Sequence, residues 1–249
     1  MKKQISSEEE GIRLNKYLSN AGVCSRREAD HYVESGRVKI DGQVAQMGEK
    51  VYTGQKITID GKPIKEEDAM ILIAFNKPRG VVCTTSKKDP DNIIDYLSYG
   101  KRIYPIGRLD KDSEGLILLT NKGELVDKIL RGSNCHEKEY VVRVNKTISS
   151  SFLKEMKKGV PILETVTRPC EITQMGEYTF RIILTQGLNR QIRRMCEYLD
   201  YRVVSLKRVR VMNINLGKLN TGGHRNVTPK ELEELNRLIK AQGKEHQHG

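Results

Sequence analysis

The first sixty residues alternate apolar and polar positions as a short helical pair followed by strands. Ile12, Leu14, Tyr17, Leu18 and Ala21 fall on one face of a 3.6-residue repeat, with Arg13 and Lys16 off it, and Gly22 ends the run. Ser25-Arg26-Arg27-Glu28 has the form of a capping box. The serine hydroxyl can accept from the Glu28 amide, and the Glu28 carboxylate can reach back to the Ser25 amide. The helix it opens is predicted to run to about Ser35, with Gly36 as a left-handed stop. Val38–Gly42 reads as a strand entering a turn, and Gln55–Asp60 as a second strand, again ending in Asp-Gly. Residues 11–60 thus make one compact unit. Residues 1–10 are predicted to be a flexible tail, and residues 61–69 a polar linker.

After the linker the pattern changes. Met70–Phe75 is a continuous apolar run of the kind a buried strand shows. Further strands are predicted at Gly115–Thr120, Tyr140–Val144, Thr179–Leu184 and Arg202–Val211. Helices are predicted at Ile93–Leu97, Glu124–Leu130, Ser151–Lys157, Gln191–Leu199 and Pro229–Ile239. Strands and helices interleave without clean βαβ alternation. The expected class is therefore α+β: a small helix–helix–strand domain, then a mixed or antiparallel-sheet domain over residues 70–240, with a flexible tail at 241–249.

Charge narrows the partner. The 249 residues carry 44 Lys and Arg against 32 Asp and Glu, a formal net charge of +12. That excess predicts a polyanion, nucleic acid before an acidic membrane surface. No apolar run approaches the ~20 residues that span a bilayer. The start MKKQISSEEE lacks the apolar stretch of a signal peptide, so a cytoplasmic protein is expected. Cys24, Cys83, Cys135, Cys170 and Cys196 are scattered with no C-x-x-C, and the histidines do not cluster with them. No metal, cofactor or redox chemistry is expected, and nothing in the sequence demands more than a monomer.

Within the first unit Arg13, Lys16, Arg26, Arg27, Arg37 and Lys39 crowd a short stretch with few acids. The bland reading is a solvated, charged helix pair. However, Arg26 and Arg27 lie beside a helix N-terminus, whose exposed amides also favour an anion, so phosphate contact is expected. The run R-L-N-K-Y-L, G-V-C-S-R-R-E-A-D and G-R-V-K-I-D-G resembles the S4 RNA-binding domain.

Three further segments could carry chemistry. Gly107-Arg108-Leu109-Asp110-Lys111-Asp112-Ser113-Glu114-Gly115-Leu116 partly matches a calcium loop, but its twelfth position is Asn121 rather than a bidentate Glu. By spacing alone it is an ordinary polar turn between strands. Tyr140 lies on an apolar strand face with Val142 and Val144, the usual place of a core tyrosine. In Gln186–Cys196, Ile192, Met195, Cys196 and Leu199 form a buried helical face. Arg190, Arg193 and Arg194 then crowd a helix start, which is unfavourable unless an anion or a carboxylate compensates them.

Taken in order, G-R-L-D-x-x-S-x-G-L, K-E-Y-x-V and G-x-N-R-Q-I-R-R-M resemble pseudouridine synthases of the RsuA, RluB, RluE and RluF branch. One departure is Ser113, where the branch usually has Thr. The resemblance implies that Asp110 is the catalytic aspartate, Tyr140 the active-site tyrosine and Arg193 the basic residue paired with the aspartate. It also implies that Lys77, Arg108, Asn189, Arg190 and Arg194 hold RNA around that pocket. The substrate would be ribosomal RNA, with the target uridine in a stem-loop or bulge of 23S RNA and flipped out of its stack. Moving the base from N1 to C5 gains and loses no atoms, so the reaction needs no redox cofactor and no metal. The competing readings are a non-catalytic S4 protein of ribosome assembly, a metal-dependent nuclease built on Asp110, Asp112 and Glu114, and the same isomerisation on transfer RNA or 16S RNA.

Overall fold

The computed structural model describes residues 11–64, 69–130 and 135–245. The tail predicted for residues 1–10 lies outside them. The chain divides into two compact units between Met70 and Ile71.

The first unit runs β1 (Ile12–Arg13), α1 (Leu14–Asn20), α2 (Arg26–Glu34), β2 (Val38–Ile40), β3 (Gln43–Val44), β4 (Lys50–Val51), β5 (Ile57–Ile59) and β6 (Lys62–Pro63). The capping box forms as the sequence predicts: Glu28 N donates to Ser25 Oγ at 3.2 Å, and Ser25 N to the Glu28 carboxylate at 2.7 Å. Leu14, Leu18, Ala29, Val33, Val38, Ile40 and Ile57 make one buried core. Two expectations change. Ile12 is not on the helix: it is exposed and pairs with Val51 across β1 and β4. The linker does not begin at Gly61. Asp60 and Gly61 both take positive φ and turn the chain back, so Lys62 and Pro63 pair with Ile59 and Thr58. This is the two-residue hairpin that Asp-Gly favours.

The second unit is a sheet with helices on both faces. Its elements are β7 (Leu72–Lys77), α3 (Ile93–Leu97), β8 (Tyr104–Ile106), β9 (Glu114–Thr120), α4 (Gly123–Leu130), β10 (Lys138–Val144) and α5 (Ser150–Lys158). There follow β11 (Pro161–Ile162), β12 (Thr165–Val166), β13 (Glu171–Gly176), β14 (Thr179–Leu184), α6 (Gln191–Tyr198), β15 (Val203–Val211), β16 (Ile214–Asn215), β17 (His224–Asn226) and α7 (Pro229–Glu245). The main order is β13-β14-β10-β15-β9-β7-β17. Along this order, among the described residues, every pairing is antiparallel except β15 with β9. Among the described residues no helix is long and apolar enough to cross a membrane.

The continuous apolar runs now have a cause. Leu72, Ala74, Leu116 and Leu118 pack into one core with Leu125 and Ile129 of α4 and Leu235 of α7. Their neighbours Ile73, Phe75, Ile117 and Leu119 feed the opposite core with Ile93 of α3. Strands covered on both faces lose the polar half of their alternation. A third core joins β10, β14 and β15 to α5 and α6.

Of the flexible tail expected over 241–249, residues 246–249 lie outside the described residues, while 241–245 belong to the last turns of α7, which runs to Glu245. Its start is firmly held. Thr228 and Glu231 form a capping box (2.9 and 3.2 Å), and the Arg225 guanidinium grips the Glu231 carboxylate with two bonds of 2.8 Å. Those Arg225 bonds, against the cost of burial, hold the Glu231 carboxyl down at about 2. A lowered carboxyl stabilises the fold above its ordinary pKa of about 4.5 and loses that contribution as pH falls through about 2. Glu231→Gln is therefore expected to cost about 2–3 kcal/mol at pH 7, with the gap to wild type closing between pH ~4.5 and ~2. Urea unfolding at several pH values measures it, and a pH-independent gap would refute the linkage.

Candidate active site

The loop between β8 and β9 carries Asp110. Gly107 enters it at φ 80, where a Cβ would stand 3.0 Å from Leu130 Cδ2. Ser113 N closes a turn on Asp110 O at 3.0 Å, and Lys111 O accepts from Gly80 N at 2.8 Å. The loop is also held from beneath. Lys77, at the end of β7, is fully buried, and its Nζ donates to Pro78 O and Val81 O at 2.8 Å each. It reaches Lys111 O at 3.5 Å as well. Lys77 is therefore corrected from an RNA contact to an internal strut. Burial pushes its ammonium pKa down, while Cys83, Asp110, Asp112 and Glu114 act the other way.

Two arginines of the next segment converge on the loop. Arg193 Nε lies 3.9 Å from Asp110 Oδ2, and its Nη2 donates to Ser113 Oγ at 3.2 Å and Asp112 O at 3.3 Å. The hydroxyl of Ser113 thus holds the arginine. Arg190 Nη1 stands 3.7 Å from both Asp110 Oδ2 and Asp112 Oδ2. Burial would raise the Asp112 carboxyl, but its own amide and the charges of Arg193, Arg190 and Arg79 outweigh that and lower it.

The carboxylates supply the compensation that the cationic start of α6 requires. Arg190 does so from the left-handed region (φ 49, ψ 34), at the N-cap of α6. That conformation costs a non-glycine residue ~1–2 kcal/mol. The preceding loop is locked as well: Leu188 N donates to Gln191 Oε1 at 3.0 Å and Gln191 N to Leu188 O at 3.2 Å.

Tyr140 comes from β10 and packs against the cores on both sides of the site. With Asp110, Arg108 and Arg190 it lines two openings that share these residues. The smaller is also bounded by Ser113, Gln191, Ile192, Arg193 and Leu206. The larger, a cleft of about 540 Å³, is bounded by His136, Lys138, Thr185, Asn189 and Arg208 as well. That volume is ordinary for a small-ligand pocket. Arg194 does not line either opening. It bonds the Asn189 carbonyl at 3.1 Å and its side chain at 3.3 Å, fixing the rim.

Sequence reasoning missed Lys138 and Arg208. The signal was present: Arg208 follows Leu206 by two positions in β15, so it shares an inward face.

In the first unit Arg13, Arg26, Arg27 and Lys39 are exposed, and Lys16 is half-buried. Arg37 already has a carboxylate: it bonds Asp60 at 3.0 and 2.6 Å and lies over the Tyr32 ring at 4.3 Å.

A carboxylate lining a cationic cleft, with a tyrosine on the same lining, suits a substrate that is anionic and presents a flat base. The class defined is an enzyme that acts on a nucleoside within RNA. Comparison with known proteins makes this specific. Residues 71–198 match the RNA pseudouridylate synthase family and residues 12–57 the S4 domain. The chain is 52% identical, over 94% of its own length and 81% of the relative's, to "Dual-specificity RNA pseudouridine synthase RluF" of Salmonella typhi. It is 34% identical to "Ribosomal large subunit pseudouridine synthase B" of Bacillus subtilis, over 91% of this chain and 96% of the other. A solved structure described as a pseudouridylate synthase superposes with a TM-score of 0.66 at 25% identity, covering 90% of this chain and 99% of that one. The chain belongs to the RNA pseudouridylate synthase family and is an RNA pseudouridine synthase with an N-terminal S4 domain.

Proposed function

We propose that the enzyme isomerises a uridine of 23S ribosomal RNA, held in a stem-loop or bulge, as a cytoplasmic monomer. The observation that carries the reaction is Asp110, 3.7 Å from Arg190 and 3.9 Å from Arg193, in a cleft it shares with Tyr140. In this reading the uridine leaves its stack at a cost of a few kcal/mol. Asp110 acts at the sugar–base junction, as carboxylates do in glycosyl transfer. The C1′–N1 bond breaks, the uracil turns, and C5 bonds to C1′. C5 gives up its proton and N1 ends with one, so nothing is oxidised or reduced. Tyr140 offers a ring on which the base can stack, and Arg193 keeps the carboxylate oriented.

The RNA target rests on the relatives, one of them named for the ribosomal large subunit. The "dual-specificity" of another favours a second RNA. Carbodiimide mapping with primer extension, on RNA from cells with and without this protein, decides. A stop lost from 23S RNA supports the proposal; stops lost only from transfer RNA or 16S RNA overturn it.

The S4 domain would add phosphate contacts. Arg26→Gln/Arg27→Gln is expected to weaken RNA binding and to reduce its salt slope by about 1–2, since each phosphate no longer neutralised takes away ~0.7–0.9. Titrations at several salt concentrations measure this, and an unchanged slope would remove that corner from the RNA-binding surface.

A further inference from the structure

The larger cleft holds two cations that the reaction chemistry does not use. Arg208, on β15, is 3% exposed. Its Nε donates to Leu116 O at 2.7 Å, but its buried Nη2 has no hydrogen-bond acceptor among the described residues. Leaving a buried charged donor unsatisfied is expensive. Lys138, on β10, also lines the cleft and, among the described residues, donates only to a neutral partner, His136 O, at 3.1 Å. Burial disfavours the charge on Lys138, and the nearby Arg208 guanidinium disfavours it further, down to about 8.

The carboxylates that flank Lys138 in the chain are engaged elsewhere. Glu139 takes Arg181 and Arg210 at 2.7 Å each, and Glu137 takes Arg210 at 2.9 Å. Among the described residues neither Lys138 nor Arg208 has an ion-pair partner. The strand register sets Arg208 directly opposite Tyr140, so the pair stands beside the ring expected to meet the base.

We propose that Arg208 and Lys138 form an anion subsite that takes one phosphodiester of the substrate strand beside the everted uridine. A phosphate supplies both missing features: acceptor oxygens for Arg208 Nη2, and a negative charge between a buried and a half-buried cation. A uracil carbonyl would satisfy the donor but leave both charges uncompensated. The inference rests on the Asp110 cleft being where RNA reacts; it is independent of which RNA is the natural target.

The test uses the full chain and a single-stranded oligouridylate of about 12 nucleotides. Binding is titrated at several salt concentrations. Lys138→Gln and Arg208→Gln are each expected to weaken binding about tenfold and to reduce the salt slope by ~0.7, the value for one neutralised phosphate on a single strand. The double variant should lose no further slope, because one phosphate serves both, and Lys138→Arg should keep the wild-type slope. Weaker binding with an unchanged slope means contact with the base and overturns the proposal. A double variant that loses twice the slope overturns the shared site. Where Arg208→Gln does not fold, Lys138→Gln against Lys138→Arg decides. Failure of the 23S assignment would leave these slopes unchanged, so the two results are read separately.

Discussion

Asp110→Asn is expected to bind RNA at least as tightly as wild type and to make pseudouridine about 10⁴-fold more slowly, the scale seen when one essential reacting group is removed. The asparagine fits the same space, and because Arg190 and Arg193 stand 3.7 and 3.9 Å from the Asp110 carboxylate, the exchange breaks no hydrogen bond to them among the described residues. It is a far poorer nucleophile and carries no charge to stabilise an electron-poor sugar carbon. Binding should hold or tighten because one negative charge leaves a cleft that meets phosphates. Arg190 keeps a carboxylate partner in Asp112 at 3.7 Å, so the loop need not collapse. The readout follows from the bond changes: forming C5–C1′ expels the C5 hydrogen, so RNA labelled with tritium at C5 releases tritium into water on turnover. Release from Asp110→Asn above about 1% of wild type would remove Asp110 from the reaction, because the ~10⁴-fold scale leaves no room for it.

Much of this arrangement was legible because local rules and tertiary packing agree. The Ser25–Glu28 capping box, the apolar runs of β7 and β9 and the helix ending at Leu97 all appear where their patterns predict them. Legibility failed where a residue serves a distant partner. Lys77 reads as a surface cation by type; only the fold reveals that carbonyls on two loops surround it. Ile12 fits the helical repeat, yet pairing with Val51 draws it into a strand. β13 escaped notice because Glu-Ile-Thr-Gln-Met-Gly carries little apolar signal, being an exposed edge strand that pairs only with β14 among the described residues. The three chemical segments were visible as motifs, but their convergence depends on the order β10-β15-β9. Nothing in the spacing of residues 110, 140 and 193 contains that order.

That strand order makes a single hydrogen at Gly115 decisive. Gly115 and Arg208 are register partners at the parallel junction of β9 and β15. Gly115 has φ +106, and a Cβ there would stand 2.2 Å from Arg208 O and 2.7 Å from Arg208 N. Both are backbone atoms inside a sheet and cannot swing aside. Gly115→Ala must therefore separate the strands or abandon the turn, at a cost of about 3 kcal/mol or more. For a domain of this size that lowers Tm by roughly 6–12 °C. Activity should suffer more than stability, because the displaced junction lies between Asp110, at the mouth of β9, and Tyr140, opposite Arg208 on β10. A shift of ~1 Å between reacting groups can cost 10²-fold, so kcat/KM is expected to fall at least that far at temperatures where the variant is still folded. Gly187→Ala is the control for stability: its Cβ meets nothing within 4 Å, so its Tm should stay near that of wild type. Melting curves for both variants, with tritium release measured well below each Tm, test the argument. A Gly115→Ala enzyme with normal Tm and rate would mean that contact between β9 and β15 does not set the geometry of the site.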